Sequence, residues 1–272
     1  MKKTIAIALL SCAAFLAAAQ PKVLSHRGFY TSEGKTVTDE NSLESLRRAQ
    51  EAGIWAVEFD VHLTSDDSLV VLHGPKILGT DIDVQKSSFE TVRAARLPYG
   101  NQVPTLREWL QLAKATPSLL LFLEMKAHAT PERETQLAEA VVKEVRAQGS
   151  QAQVRYLSFS EHELDEVKRL DPDAEVTLNA SRYSKDLVPE RAKAKGYAGI
   201  SYHYQLFLEH PEWVARATEL GLDTYYWMVD NSFMADVAVE LGASVITSNY
   251  ADLMMRHYKR NAKGFHGRRH RR

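Results

Sequence analysis

The chain has 272 residues, 44% of them hydrophobic and 25% charged, an ordinary globular composition that excludes a fibrous repeat or a disordered chain. Its formal net charge of −1 conceals an acidic body: eight of the 34 Lys and Arg lie after residue 255 and two more are Lys2 and Lys3, leaving 24 against 35 acids, or −11, over residues 20–255. A body of that charge excludes nucleic acid as the main partner.

Residues 1–19 read as a secretory signal peptide. Lys2 and Lys3 form the positive start, Ile5 to Leu16 is an apolar run broken only by Ser11, and Ala17-Ala18-Ala19 offers a cleavage site before Gln20. The run is short for a membrane span. A lipoprotein reading would acylate Cys12, but Leu9-Leu10-Ser11-Cys12 is a loose match and apolar sequence continues past it. The expectation is therefore an exported protein, periplasmic or secreted. Cys12 is the single cysteine, so the mature chain excludes disulfides, thiolate catalysis and Cys-ligated metals.

After Gln20, short apolar runs alternate with helical periods. Strands are predicted at residues 22–25, 56–61, 69–73, 119–124, 154–158, 175–178, 199–202, 224–229 and 244–247. Leu119 to Leu123 is continuously apolar, as in a parallel strand covered on both faces. Helices are predicted near 43–52, 106–115, 211–220 and 233–241, with Gly53, Gly221 and Gly242 past three of their ends. Thr130-Pro131 opens another that Gly149 stops. Ser160 and Glu163 have capping-box spacing at the head of a further one. The alternation points to one domain, either a closed barrel or an open doubly wound sheet. A barrel needs eight strands and nine are counted. The link from Val61 to Leu69 is too short for a crossover helix, so the early part departs from a regular repeat.

Chemistry gathers at strand ends. The first run ends in Ser25-His26-Arg27-Gly28, the second carries Glu58-Phe59-Asp60, the third ends in His73 and the fourth in Glu124-Met125-Lys126. In a parallel barrel those ends share one rim. Strand alternation puts Glu58 and Asp60 on one side. With Glu124 they offer three oxygen donors, a set for a hard cation such as Ca²⁺ or Mg²⁺. Arg27 and Lys126 supply charge for an anion. His26 and His73 offer a general acid and a general base. Together these suit attack at phosphorus. Each residue alone has a plainer reading, such as a structural histidine or a salt-bridged rim; their convergence gives them weight.

The ordered series Ser25-His26-Arg27-Gly28, Glu40-Asn41-Ser42, Ala52-Gly53, Glu58-Phe59-Asp60-Val61, Leu63-Thr64-Ser65-Asp66, Val70-Val71-Leu72-His73, Pro104-Thr105-Leu106 and Leu123-Glu124-Met125-Lys126 resembles the glycerophosphodiester phosphodiesterases. Ser158-Phe159, Tyr226 to Asp230 and Ile246 to Asp252 extend the likeness over nearly the whole mature chain. The resemblance implies a (β/α)8 TIM barrel, of the type of the phospholipase C-like phosphodiesterases, over residues 20–255. It implies hydrolysis of glycerophosphodiesters to glycerol 3-phosphate and an alcohol, through the substrate's own glycerol hydroxyl. It also implies His26 and His73 as the acid–base pair, Glu58, Asp60 and Glu124 as ligands of Ca²⁺ or Mg²⁺, Arg27 and Lys126 on the phosphate, and Trp227 in the pocket wall. One position departs: Gly74 stands where the family usually has Asp after the second histidine, which removes a carboxylate near the metal or His73. The sphingomyelinase D proteins of spider venoms look similar there, but their disulfides are absent. Asn41-Ser42 for Asn-Thr is a milder change.

Two other functions compete with this one: a related phosphodiesterase acting on lysophospholipid or sphingolipid headgroups, and a non-catalytic phosphodiester-binding protein. A glycosidase would leave both histidines and Arg27 unexplained. The loops 29–39 and 74–88 are expected to shape the mouth, with Tyr30, Ile77, Leu78 and Ile82 as apolar surface. The basic tail, residues 256–272, reads as solvated chain or a weak contact to anionic membrane.

Overall fold

The nine apolar runs all become strands, and eight of them close into one parallel barrel. The computed structural model describes residues 20–182 and 187–269, with the backbone alone from residue 261 on. The signal-peptide reading lies outside the described residues. In chain order the elements are β1 (Lys22–Ser25), β2 (Thr31–Ser32), β3 (Lys35–Thr36), α1 (Leu43–Glu51), β4 (Ala56–Leu63), β5 (Leu69–Val71), α2 (Phe89–Ala94) and α3 (Leu106–Ala113). Then come β6 (Leu120–Met125), α4 (Pro131–Ala147), β7 (Val154–Ser158), α5 (Glu161–Leu170), β8 (Val176–Ala180), α6 (Pro189–Ala194) and β9 (Gly199–His203). The chain ends with α7 (Tyr204–Glu209), α8 (Glu212–Glu219), β10 (Asp223–Trp227), α9 (Ser232–Leu241), β11 (Val245–Ser248) and α10 (Ala251–Arg269). The strand order is β1-β11-β10-β9-β8-β7-β6-β4, and β1 also pairs with β4, which closes the ring.

The ninth strand is not part of the barrel. β5 pairs antiparallel with the end of β4, Val61 opposite Val71 and Leu63 opposite Leu69. The turn is sealed by Thr64 N–H donating to Ser68 O at 2.9 Å, with Asp67 at φ 65°. This corrects the reading of residues 69–73 as a strand whose C-terminal end shares the common rim. β4 overshoots the barrel and β5 brings the chain back down, so His73 reaches the rim from a hairpin. The small β2–β3 hairpin was not foreseen. It is two residues per strand, too short to show a period, and it turns at Glu33 and Gly34, both with positive φ.

Helix ends follow the local chemistry. Thr130 caps α4 with Pro131 in its first turn, and Gly242 ends α9 in the left-handed region. The capping box expected at α5 is half made. Ser160 accepts from Glu163 N–H, but the Glu163 carboxyl turns to the Ser158 hydroxyl instead of back to the cap.

β4 sorts the core. Its outward residues Val57, Phe59, Val61 and Leu63 pack under the helices, and Phe59 stacks on Trp109 of α3 with ring centroids 4.7 Å apart. A separate cluster of Leu24, Ala56, Phe122, Leu157, Tyr225 and Val245 plugs the barrel interior. The barrel is therefore filled, not a pore. α10 runs across the 255/256 position at which the basic tail was taken to begin. Among the described residues, no helix is long and apolar enough to cross a membrane.

Candidate active site

Above the apolar plug the inward side chains turn polar. Asp60 of β4 and Glu124 of β6 are register partners, and Glu58 lies two residues earlier on the same face. All three are buried, and one oxygen from each falls within 4.8 Å of the others. Lys126, just past β6, reaches back over them. Its Nζ is 2.6 Å from Glu124 Oε1 and 3.2 Å from Asp60 Oδ1. Asn41 holds Asp60 twice: its Nδ2 donates to Asp60 Oδ2 at 2.8 Å and its Oδ1 accepts from Asp60 N–H at 3.1 Å.

The second group follows β1. Arg27 has φ 55° and Gly28 φ 79°, a pair of left-handed residues that folds the chain over β4. Glycine is required at 28, because a Cβ there would sit 2.2 Å from Ser45 Oγ. The turn is tied down by Arg27 N–H to Glu58 Oε2 at 3.0 Å and Gly28 N–H to Glu58 O at 2.9 Å. The guanidinium donates from Nη1 to Glu40 at 2.8 Å, and its Nε lies 3.9 Å from Asp60. His26 sits with Nε2 3.7 Å from Glu58 Oε2. His73 completes the group, held through its backbone: Leu72 N–H donates to Asp60 O, and its own carbonyl meets His62 Nε2 at 3.2 Å.

The seven residues singled out at strand ends, together with Trp227, line one cavity of about 350 Å³. The Trp227 indole N–H donates to Ser201 O at 3.0 Å, and its ring meets Phe159 and His203 edge-on. Sequence reasoning did not single out Asn179, His203 and Asn249 for this cavity and gave Phe159 no contact there, while Tyr30, expected at the mouth, does line it. Asn179 and His203 stand at the ends of β8 and β9, where the strand-end signal used for the first half of the chain applied equally. Loop 74–88 does not serve the mouth as expected. Ile77 is fully buried in a satellite core with Val70, Leu72, Val84 and Val92, and Leu78 is exposed away from the cavity lining.

Burial and like charge push the Glu58 carboxyl well above its ordinary range, with Asp60 and Glu124 adding to it. Burial also lifts Glu124, to about 7, against the pull of Lys126. Asp60 goes the other way: burial would raise it, but Lys126, His73 and Arg27 outweigh that and hold it at about 2. Burial, helped by Arg27, lowers His26 to about 3, and burial lowers His73 to about 4. Both imidazoles are therefore neutral near pH 7.

Three buried polar atoms lining this cavity lack any hydrogen-bond partner: Arg27 Nε, Glu58 Oε1 and Asn179 Oδ1. Buried polar atoms are normally satisfied. The unpartnered Glu58 oxygen suits a cation and the Arg27 N–H an anion, and the oxygen donors of Glu58, Asp60 and Glu124 fit a hard cation.

Residues 26–253 match the model of the glycerophosphoryl diester phosphodiesterase family. The chain belongs to that family. A glycerophosphodiester phosphodiesterase of Caldanaerobacter subterraneus is 26% identical over 237 residues, covering 84% of this chain and 93% of the relative. The crystal structure of a glycerophosphodiester phosphodiesterase from Parabacteroides distasonis superposes with a TM-score of 0.82 at 32% identity, over 89% of this chain and 98% of that one. A phosphodiesterase of Oleispira antarctica in complex with sn-glycerol-3-phosphate shares the fold, with a TM-score of 0.77 at 22% identity over 88% and 97%. Membership carries the (β/α)8 architecture and the enzyme class expected from the sequence.

Proposed function

We propose that the protein hydrolyses glycerophosphodiesters to glycerol 3-phosphate and an alcohol, with a divalent cation, Ca²⁺ or Mg²⁺, held by Glu58, Asp60 and Glu124. The observation that carries the reading is the convergence of those carboxylates, two cationic side chains and two histidines on one cavity. The product bound to the Oleispira relative supports the same substrate class.

The chain's own groups divide the work. The buried, unpartnered Nε–H of Arg27 is free to donate to a phosphate oxygen. Lys126 donates to Glu124 and forms an ion pair with Asp60, and its ammonium keeps N–H donors for the substrate. A bound dication would draw charge from a non-bridging oxygen and offset what builds at phosphorus. His26 and His73 are the acid–base pair. One takes the proton of the attacking hydroxyl and the other returns a proton to the leaving alcohol oxygen. The acid must first gain its proton, and the negative phosphodiester favours that by raising the imidazole pKa.

Phe159, 45% exposed and edge-on to Trp227, gives the cavity an apolar lip. It favours, as a second reading, a lysophospholipid substrate. The expected location is outside the cytoplasm, periplasmic or secreted, a reading supported by the pattern of residues 2–19 and consistent with a scavenger of glycerol phosphate. The basic tail is read as solvated chain, with a weak contact to anionic membrane as the alternative.

The test is product analysis on the mature protein with glycerophosphocholine, glycerophosphoethanolamine, glycerophosphoglycerol and lysophosphatidylcholine, each with Ca²⁺, Mg²⁺ or EDTA. Release of glycerol 3-phosphate that stops in EDTA supports the proposal. Cleavage of lysophosphatidylcholine alone supports the second reading, and no turnover of any diester sinks both.

A further inference from the structure

His26 is the one histidine of the acid–base pair whose ring is held by a side chain among the described residues. Its Nδ1 lies 2.7 Å from Asn249 Oδ1. Asn249, just past β11, is held by further contacts, among them the Thr31 hydroxyl donating to its carbonyl. Tyr30 O–H donates to the same Oδ1 at 2.8 Å, Asn249 Nδ2 donates to Asp230 Oδ2 at 2.7 Å, and Asn249 backbone N–H donates to Asp230 Oδ1 at 2.8 Å. Asp230, three residues past β10, also accepts from Ser248 O–H at 3.0 Å.

The donor inventory of these groups leaves one arrangement. A carboxylate only accepts, so the nitrogen of the Asn249 amide must face Asp230. Its oxygen then faces His26, and an amide oxygen cannot donate. The proton of that contact therefore sits on His26 Nδ1, and in the neutral ring Nε2 carries a bare lone pair. Nε2 is the nitrogen on the Glu58 side of the ring, 3.7 Å from its Oε2. Without the Asp230 anchor the amide could turn over, present N–H to Nδ1 and force the opposite tautomer, whose Nε2–H cannot accept a proton.

We infer that Asp230 and Asn249 are positioning residues that lock His26 in the Nδ1–H tautomer, so that Nε2 is the nitrogen through which His26 exchanges a proton with the substrate. The inference rests on the proposed function for what His26 does, but the tautomer itself does not. The residues that follow β11, which pairs with β1, and β10, the next strand in the ring, thus set the protonation of the residue that follows β1.

The experiment reads ring-nitrogen shifts of ¹⁵N-histidine-labelled protein near pH 7, with His26 assigned by the His26→Gln spectrum. The wild type is expected to show His26 as Nδ1–H. In N249L the acceptor is gone, so His26 shifts toward Nε2–H and kcat falls about 100-fold, with KM changed no more than about threefold. The exchanged pair D230N/N249D restores an acceptor toward His26 and a donor toward it from residue 230, and is expected to recover both the tautomer and most of kcat. It is nearly isosteric, so it keeps the test open if N249L does not fold. A wild-type His26 in the Nε2–H form overturns the inference, as does N249L with unchanged shifts or unchanged kcat, or an exchanged pair that folds without recovering either. Nδ1–H in a protein that turns over no diester would overturn the proposed function and leave the lock standing.

Discussion

Asp60 and Glu124 face each other across adjacent parallel strands, with both carboxyls pointing into the barrel. Strand spacing alone sets their backbones about 4.8 Å apart, and Glu58 adds a third acid from below. Burial drives Glu58 and Glu124 up and the neighbouring acids add to it, while Asp60 stays low beside Lys126. The barrel holds this strain through neighbours that each carboxylate keeps: Asn41 on Asp60, Asn179 on Glu124 and Arg27 N–H on Glu58. It is an arrangement suited to a cation, at some expense to the cation-free fold.

Glu58→Gln removes one acid and keeps an oxygen for Arg27 N–H. In EDTA the variant should melt about 2–4 °C above the wild type, the shift that roughly 1 kcal/mol produces in a domain of this size. Added Ca²⁺ or Mg²⁺ should raise the wild-type midpoint by mass action and leave the variant's unmoved. Thermal melts with and without metal check both. A variant that melts lower in EDTA would mean that Glu58 is tied down by structure alone.

His73→Ala should lower kcat by about 10²–10⁴-fold, the usual contribution of a general acid or base. The loop should survive the change, because it is held through backbone. His62 meets the carbonyl of residue 73, and Gln85 Nε2 bridges His62 Nδ1 and Ala127 O at 3.0 Å each. Steady-state kinetics beside a circular-dichroism spectrum separate the two effects. Near-full activity in a folded variant would remove His73 from the acid–base pair.

Much of this site was legible because β-strand chemistry is local. Period-two alternation put Glu58 and Asp60 on one face, and short apolar runs located β1, β4 and β6, with β4 running two residues past its expected end. What was not legible depends on pairing. Nothing within residues 69–73 says that the strand is antiparallel; the clue lay outside it, in a link too short for a helix. Asn249 and Asp230 were quoted only as parts of a motif. Their work is done on His26, more than 200 residues away, and no local period encodes that. Glu163 was misread for a related reason: its spacing from Ser160 suits a capping box, yet Ser158 offers a buried partner that only the folded β7–α5 corner brings near.

Gly74 has room for the carboxylate that the resemblance leads one to expect after the second histidine. A Cβ there would meet nothing nearer than Lys76 O at 3.8 Å, and the backbone is outside the left-handed region. Gly74→Asp should therefore fold as the wild type does and bind Ca²⁺ or Mg²⁺ more tightly, because it adds negative charge beside His73. Calorimetric titration with each metal checks this. Unchanged affinity would mean that the site has been rebuilt around glycine.

Glu163 offers a test of stability against pH. It is fully buried at the start of α5, one oxygen against Ser158 O–H and the other without a partner. Burial lifts its carboxyl to about 8, and the nearby charges of Glu134 and Glu124 add to this. Because the folded pKa lies above the unfolded value near 4.5, the folded state keeps a proton that the unfolded state has released. The stability linked to that proton is fully present below about pH 4.5 and is lost as pH rises toward 8, at roughly 1.4 kcal/mol per unit. Glu163→Gln keeps the shape and cannot titrate, so its advantage over the wild type should be small at pH 5 and grow to several kcal/mol at pH 8. Urea unfolding of both proteins at the two pH values measures the difference directly. A gap that does not widen with pH would mean that Glu163 is ionised in the folded protein, with the Ser158 hydroxyl and the Ser160 N–H beside it carrying the charge that burial was taken to exclude.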